Sequence, residues 1–389
     1  MLTTLAISNY RSALELVLPL GPLNVITGAN GSGKSNLYRA LRLLAATAQD
    51  DVIAALASEG GLESTFWAGP ETLSTAMRKG LVPVEGGPRQ HSRRLKLGFA
   101  DEDFGYLIEL GLPRPDSTTA FNLDPEIKRE IIWAGGAYRP AAALVDRRGP
   151  LVKARVDNGW LSLADHLNTF DSLFSQVADA RTAPEVLALR ERIRGWRFYD
   201  HFRTDREAPA RQVQIGTRTP VLHHDGRDLA AALQTIREVG DSMALDAAIE
   251  DAFPGAKLNI EPLPDGRLKL EFHQYGLLRP LSAAELSDGT LRYLLLIAAL
   301  LTPRPPSLMV LNEPENSLHP DLLPALARLI EQASQHSQLW VVSHANRLVA
   351  ALNEHQDCHG VELTKELGET QVVGQGLLST PNWHWSESH

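Results

Sequence analysis

The chain has 389 residues, 43% of them hydrophobic and 22% charged, which suits a folded protein of two or more lobes and excludes a disordered or fibrous one. Its net charge of −9 excludes an overall basic field for nucleic acid, though not a local basic face. A single cysteine, Cys358, excludes an internal disulfide and fits a reducing cytoplasm.

The opening "MLTTLAISNYRS" has no charged leader ahead of an apolar core, so no signal peptide is expected. "LTTLAISNY" and "ALELVLPL" predict paired strands, and "LNVITG" a short buried strand ending in glycine. Helical periodicity runs from Lys34 to about Ala55. "RLKLGFA" and "YLIELGL" predict a hairpin about the acidic turn "DEDFG", with further strands near 130–138 and 151–163. Helix is expected over about 164–194, broken at Pro184, and then "WRFYDHF" reads as a strand. "GRDLAAALQTIREVG" and "SMALDAAIEDAF" predict helices, and "AKLNIEPLPDGRLKLEFHQ" a hairpin turning at Pro264-Asp265-Gly266. The longest apolar run, "LLLIAALL" at 294–301, falls far short of the roughly 20 residues that span a bilayer and is expected to be a core helix. No repeat, low-complexity tract or sustained heptad pattern is present.

"GANGSGKS", Gly28 to Ser35, matches G-x-x-x-x-G-K-S/T between a buried strand and a helix. Its glycines let backbone N–H groups face phosphate oxygens, and the following helix adds a positive N-terminal end. Asn30, Gly31, Ser32 and Gly33 form the cradle, Lys34 meets the β- and γ-phosphates, and Ser35 offers a hydroxyl to magnesium. The alternative is a glycine-rich turn with a chance lysine.

"LSDGT", Leu286 to Thr290, is by itself only a good helix N-cap. Its serine, Ser287, precedes Glu313 by 26 residues, and Glu313 ends the apolar stretch of "LMVLNEPENSLHP". "LWVVSHANRL" then delivers His344 at the end of another buried strand. This order resembles the ABC-type ATPases. The resemblance implies that Ser287 and Gly289 hold the γ-phosphate bound by a second subunit, Glu313 orients the attacking water as general base, and His344 acts as the switch histidine. Ser317, Leu318 and His319 fall where that family has its dimer-facing loop.

Asn36 after the motif serine, "NEPENSLHP" and the opening "LAISNYRSALELVLPLGPLNVITGANGSGKSNL" resemble the RecF, SMC and OLD branch more than transporter ATPases. Arg11 is thereby a candidate nucleotide contact. "RFYDHFRTDREAPARQ" and "HDGRDLAAALQTI" extend the likeness to short bacterial "predicted ATPases" over nearly the whole chain. An asparagine ahead of Glu-Pro-Glu recurs in that group. Asn312 therefore stands where an aspartate usually serves magnesium: it keeps one acceptor oxygen and loses the charge. It is expected to weaken metal binding without abolishing it, or else to cap the strand end. The lobe-linking glutamine usual in such sites finds no convincing position, Gln90 being a poor candidate.

His355, Cys358 and His359 lack the second pair of a zinc site. Between 190 and 218, eight arginines face four acids and are interleaved with aromatics; a partner face and a set of salt-bridged structural arginines both fit, the latter better. Forty-five residues follow His344, fewer than a further nuclease domain needs, and "NWHWSESH" reads as a polar tail.

The expected fold is α/β, a P-loop NTPase of the ABC/SMC head kind, with a mixed sheet core, an antiparallel β subdomain and a helical signature lobe. Residues 1–225 are expected to form the nucleotide lobe, 226–290 the signature lobe, and 291–389 the return to the core. The resemblance implies a cytoplasmic, magnesium-dependent, slow ATPase forming a head-to-tail homodimer on ATP. It would act as a switch on nucleic acid or a partner protein, in a setting such as DNA repair or phage defence. A pseudo-ATPase scaffold and a transporter's soluble motor are the alternatives.

Overall fold

The computed structural model describes residues 1–49, 51–84, 93–157, 159–376 and 379–386; Gln90 lies outside them. Two compact units divide the chain: 1–21, 28–196 and 361–389 in the first, 22–27 and 197–360 in the second.

The first unit carries an eight-stranded antiparallel sheet. Its strands are β1 (Leu2–Tyr10), β2 (Ala13–Pro19), β4 (Leu95–Asp101), β5 (Phe104–Gly111), β6 (Glu126–Ala134), β7 (Ala143–Arg148), β8 (Leu151–Val156) and β9 (Gly159–Ala164), in the order β2-β1-β4-β5-β6-β7-β8-β9. β3 (Leu23–Gly28) belongs to the second unit except for its last residue. Central strands β4 and β5 are buried almost throughout, whereas β8 alternates, with Val152 and Ala154 inward and Lys153 exposed. Helix α1 (Lys34–Thr47) lays Leu37, Leu41 and Leu44 against this unit's core. It was expected to reach 55 but stops at Thr47. The N–H groups of Ala48 and Gln49 bond three residues back, and the acids that follow disfavour a continuing helix C-terminus. Short helices α2 (Val52–Ser58), α3 (Leu62–Thr65) and α4 (Thr75–Arg78) follow.

Helix expected from 164 begins only at α5 (Leu173–Gln176) and α6 (Pro184–Arg194). Before them, Asn168 and Ser172 spend their side chains on turn contacts, Asn168 Nδ2 donating to Asp171 and Ser172 Oγ accepting from the Phe174 N–H. The supposed polar tail is also corrected. Trp383 stacks edge-on against Trp133, with centroids 5.4 Å apart, and against Trp385 at 5.3 Å, while buried Ser386 donates to Glu109. Two further strands, β17 (Cys358–Glu366) and β18 (Glu369–Val372), pair antiparallel with Leu363 opposite Val372.

The second unit is built on four parallel strands: β10 (Arg197–Tyr199), β15 (Leu308–Asn312), β16 (Gln338–Val342) and β3, in the order β10-β15-β16-β3. Of these, β15 and β16 are buried almost throughout and read as near-continuous apolar runs, whereas β10 is partly exposed. Two helices, α7 (Leu229–Val239) and α8 (Ser242–Ala252), accompany the hairpin of β12 (Lys257–Pro262) and β13 (Arg267–His273), flanked by β11 (Gln214–Ile215) and β14 (Leu281–Ser282). Helices α9 (Asp288–Leu300), α10 (Leu323–Ser334) and α11 (Asn346–Asn353) complete the unit. From Leu291 to Leu300 every residue of α9 is buried, Arg292 included, in keeping with the apolar run that begins at Leu294. Among the described residues, no helix is long and apolar enough to cross a membrane.

One ion pair in the first unit is wholly enclosed. Arg147 Nη1 meets Glu130 at 2.6 Å with both side chains 0% exposed. Arg147 also donates to the carbonyls of Gly149, Asn168 and Asp171. Glu130 in turn accepts from Tyr106, Ser172 and the Leu173 N–H. All four acceptor positions of the carboxylate and four of the guanidinium's five protons are used, which makes removal of one partner costly. Arg147→Ala should destabilise the fold by about 3–5 kcal/mol in urea unfolding, because Glu130 keeps a buried charge without its counterion.

Candidate functional site

The loop after β3 belongs to the first unit from Gly28 onward. Gly28 and Gly33 take φ of 143° and 112°, a region that favours glycine. A Cβ on Gly28 would fall 2.4 Å from the Leu363 carbonyl oxygen, and one on Gly33 2.2 Å from Thr370 Oγ1. Gly33 is the N-cap of α1 and gives it no side-chain cap, so the helix opens with its N–H groups toward the loop. Lys34 is buried, its ammonium donating to the carbonyls of Gly28 (2.6 Å) and Ala29 (3.0 Å). Ser32 is 3% exposed and its Oγ has no hydrogen-bond partner. Asn30, Gly31 and Ser35 are exposed. A curled loop, an uncapped helix start, a lysine and an unpaired hydroxyl are the donor set that a phosphate chain takes.

A hydrogen-bond relay braces this loop, and two of its members, Ser12 and Thr370, had no role in the sequence reading. Thr370 Oγ1 donates to the Ser32 carbonyl at 2.8 Å, and Ser12 Oγ lies 2.7 Å from Thr370 Oγ1. Asn36 Nδ2 donates to Ser12 Oγ at 2.7 Å. With the Thr370 proton committed, Ser12 must donate to Thr370, so the order is Asn36, Ser12, Thr370, Ser32. Asn36, a candidate nucleotide contact, is thereby seen to position the loop. Arg11, another candidate, forms an ion pair with Glu59 at 2.8 Å, alongside Tyr10, which donates to the same carboxylate at 2.7 Å.

In the second unit, β15 and β16 pair Asn312 with Val342, so the residues after each strand emerge together. Glu313 N–H donates to the Val342 carbonyl at 2.8 Å, and Glu313 itself is left-handed, with φ of 48°. Its carboxylate lies 3.0 Å from His344 Nε2 and accepts from Asn316 Nδ2 at 2.7 Å. Glu313 and His344 are thus brought into contact. Glu315, part of the Glu-Pro-Glu pattern but given no task by the sequence, organises the loop after β16. Its Oε1 accepts from Ser343 Oγ (2.8 Å), His344 N–H (2.8 Å) and Ala345 N–H (3.2 Å).

Asn312 donates its Nδ2 to Asp200 at 2.6 Å, which leaves its carbonyl oxygen to accept. Arg292 of α9, 1% exposed, donates to the Glu313 carbonyl at 3.2 Å and has its Nη1 3.2 Å from His201 Nδ1. Burial lowers its guanidinium pKa from the usual value, opposed by the charges of Glu315, Asp200 and Glu313.

Ser287 is the N-cap of α9, accepting from the Thr290 N–H at 3.2 Å, and is exposed. The loop before it is held by Arg211, 9% exposed, which donates to the carbonyls of Ala283 (3.0 Å) and Leu286 (2.7 Å) and to Asp288 (2.8 Å). Ser287 and Gly289 share an open cavity of about 660 Å³ with Ser317, Leu318 and His319. Thus the signature segment and the expected dimer-facing loop border one surface. The arginine-rich stretch is largely structural: Arg211 holds this loop, Arg192 pairs with Asp101 and Arg203 with Asp205 at 2.8 Å.

Magnesium, expected from the motif, takes oxygen ligands and keeps several waters. The exposed hydroxyl of Ser35 in the first unit, and separately the carbonyl oxygen of Asn312 in the second, are each oxygen donors of the kind it takes.

Residues 23–350 match the sequence profile of the family described as "AAA domain, putative AbiEii toxin, Type IV TA system". No curated protein matches. Among solved structures, an SmcHead bound to the C-winged helix domain of ScpA is similar at 15% identity and a TM-score of 0.50, with 97% of this chain and 98% of that one covered. An Smc head domain with an extended coiled coil from Pyrococcus furiosus, bound to the C-terminal domain of ScpA, aligns at 14% identity, TM-score 0.47 and coverages of 96% and 95%. The SMC head domain from Thermotoga maritima aligns at 16%, TM-score 0.42 and coverages of 97% and 99%. The first likeness shows a shared fold, that of P-loop SMC heads, as the sequence implied.

Thr370→Val removes the hydroxyl that carries the relay and leaves the Ser32 carbonyl without its donor. A loss of about 1–3 kcal/mol is expected in urea unfolding, with weaker nucleotide binding in a fluorescence titration.

Proposed function

Because the chain belongs to the family described as AAA domain, putative AbiEii toxin, Type IV TA system, we propose that it binds ATP through Gly28–Ser35 and hydrolyses it with magnesium. The observation that carries this reading is the contact of Glu313 with His344 at the carboxyl ends of β15 and β16. Ligands of open α/β sheets bind at the carboxyl ends of their strands, where both residues stand.

In this reading Lys34 and the N–H groups of the loop grip the β- and γ-phosphates. Ser35 and Asn312 would each offer an oxygen to magnesium, and the ion would supply positive charge against the phosphates. Glu313 accepts the proton of the attacking water, and His344 fixes the orientation of that carboxylate. Asn30, Gly31, Ser32 and Gly33 contribute the cradle, with Asn36 supporting it through Ser12. Asn312 itself brings an acceptor oxygen and no charge to the metal, which is the ground for expecting slow turnover.

The protein dimerises head to tail on ATP. Support comes from the exposed N-cap Ser287, which with Gly289 borders the same open surface as Ser317 and His319. In this reading the exposed start of α9 captures the γ-phosphate of a second copy. The dimer then switches a protein or nucleic-acid partner; the SmcHead relative is bound to a winged-helix domain, which favours a protein partner. Asn312 also favours a second reading, a scaffold that binds ATP without turnover, and steady-state phosphate release separates the two.

Lys34→Ala should weaken ATP binding by about 10- to 100-fold in isothermal titration, the loss of one or more charge-assisted contacts. Unchanged affinity would remove the phosphate-loop assignment. Glu313→Gln should retain ATP, release no phosphate and accumulate as a dimer in light scattering, while Ser287→Arg added to it should return the monomer. A Glu313→Gln protein that hydrolyses ATP at the wild-type rate would show that the base lies elsewhere, and one that stays monomeric with ATP at high concentration would end the dimer model.

A further inference from the structure

The sequence places an amide where a carboxylate was expected, and the structure places a carboxylate beside it. β10 runs parallel to β15 with Tyr199 opposite Leu311, so the next residues, Asp200 and Asn312, stand side by side at the strand ends. Asn312 Nδ2 donates to Asp200 Oδ1 at 2.6 Å. The reverse orientation of the amide would set its oxygen against the carboxylate, so the donor assignment is fixed by chemistry.

Resting on the magnesium-ATP reading above, we infer that Asp200 supplies the negative charge of the metal site that Asn312 lacks. Three acids gather at this edge, and two are already committed. Glu313 is held by His344 and Asn316 through its two oxygens. Glu315 has Oε1 occupied by the loop after β16 and Oε2 buried. Asp200 takes a single hydrogen bond, from Asn312, and is otherwise exposed. It keeps lone pairs for a metal-bound water, and its bond to Asn312 turns the amide so that the carbonyl oxygen accepts as well. The pair thus carries one charge and one neutral acceptor, with the charge on β10.

The buried guanidinium of Arg292 lies close enough for Asp200, Glu313 and Glu315 all to act on it. Its positive charge offsets part of their mutual repulsion.

The test is metal affinity, not turnover. Manganese binding to the protein with a non-hydrolysable ATP analogue is read by electron paramagnetic resonance, and nucleotide affinity with excess chelator is read by fluorescence. Asp200→Asn should weaken manganese about tenfold or more while leaving metal-free nucleotide affinity unchanged. Exchanging the two residues, Asp200→Asn with Asn312→Asp, keeps the hydrogen bond and should recover the affinity, which a merely structural role for Asp200 would not predict. Asp200→Asn within about twofold of wild type, or an exchange variant no better than the single one, would overturn the inference. A wild-type protein that binds no nucleotide even with metal would overturn the ATP reading and this inference with it. Nucleotide bound normally with metal affinity unmoved would overturn this inference alone.

Discussion

The register of β10, β15, β16 and β3 fixes where every chemical group of the second unit stands. Parallel strands buried on both faces have no freedom to slip, since each residue is packed on one side or the other. Tyr199 beside Leu311, Leu311 beside Val341 and Val342 beside Ile26 therefore bring the four strand ends into one row. The first polar residues beyond that row are Asp200, Asn312, Ser343 and Thr27. The chain leaving β15 has to turn at once, and Glu313 takes a left-handed conformation to do so. Such a backbone persists only where its surroundings over-determine it. Here the Glu313 N–H is held by Val342, its carbonyl by Arg292, and its carboxylate by His344 and Asn316.

Each functional loop is secured from behind by a buried or half-buried polar group. Thr370 and Ser12 hold the loop of Lys34, Arg211 holds the segment before Ser287, Arg292 holds Glu313, and Glu315 holds His344. A buried donor or acceptor left unpaired costs more than a made bond contributes, so these contacts specify one loop conformation more than they add net stability. Arg211 is the clearest case. Its guanidinium reaches three carbonyls of the segment 283–286 and the first acid of α9, so the exposed N-cap is presented in a set orientation.

What the sequence made legible was local. The phosphate loop, the run of α9, the strand before Glu313 and the hairpins at Asp101–Phe104 and Pro264–Gly266 each rest on residues within a few positions of one another, where periodicity and turn chemistry act. The braces were not legible, because they join residues that only the topology brings together. Thr370 bonds to a carbonyl 338 positions away, and Asp200 to an amide 112 positions away. The closing aromatics were misread for a related reason. Eight residues with no period look like a tail, yet Trp383 fills the space over Gly98 that any side chain there would occupy. The missed turn before α5 shows the opposite failure: apolar spacing suggested helix, while Asn168, Asp171 and Ser172 offered the backbone other partners.

Asn312 is best understood through its neighbour. A carboxylate there would face Asp200 across the 2.6 Å that the amide now bridges. Two carboxylates so close cannot both ionise freely, and one would be driven to hold a proton at neutral pH. An amide removes that conflict, contributes a donor to Asp200, and still offers an oxygen outward. The acid on β10 and the amide on β15 are therefore matched, and a change at either position is felt at the other. By the same logic the asparagine carries little information alone: whether the strand end is charged depends on the pair, and the pair exists only once β10 is laid beside β15.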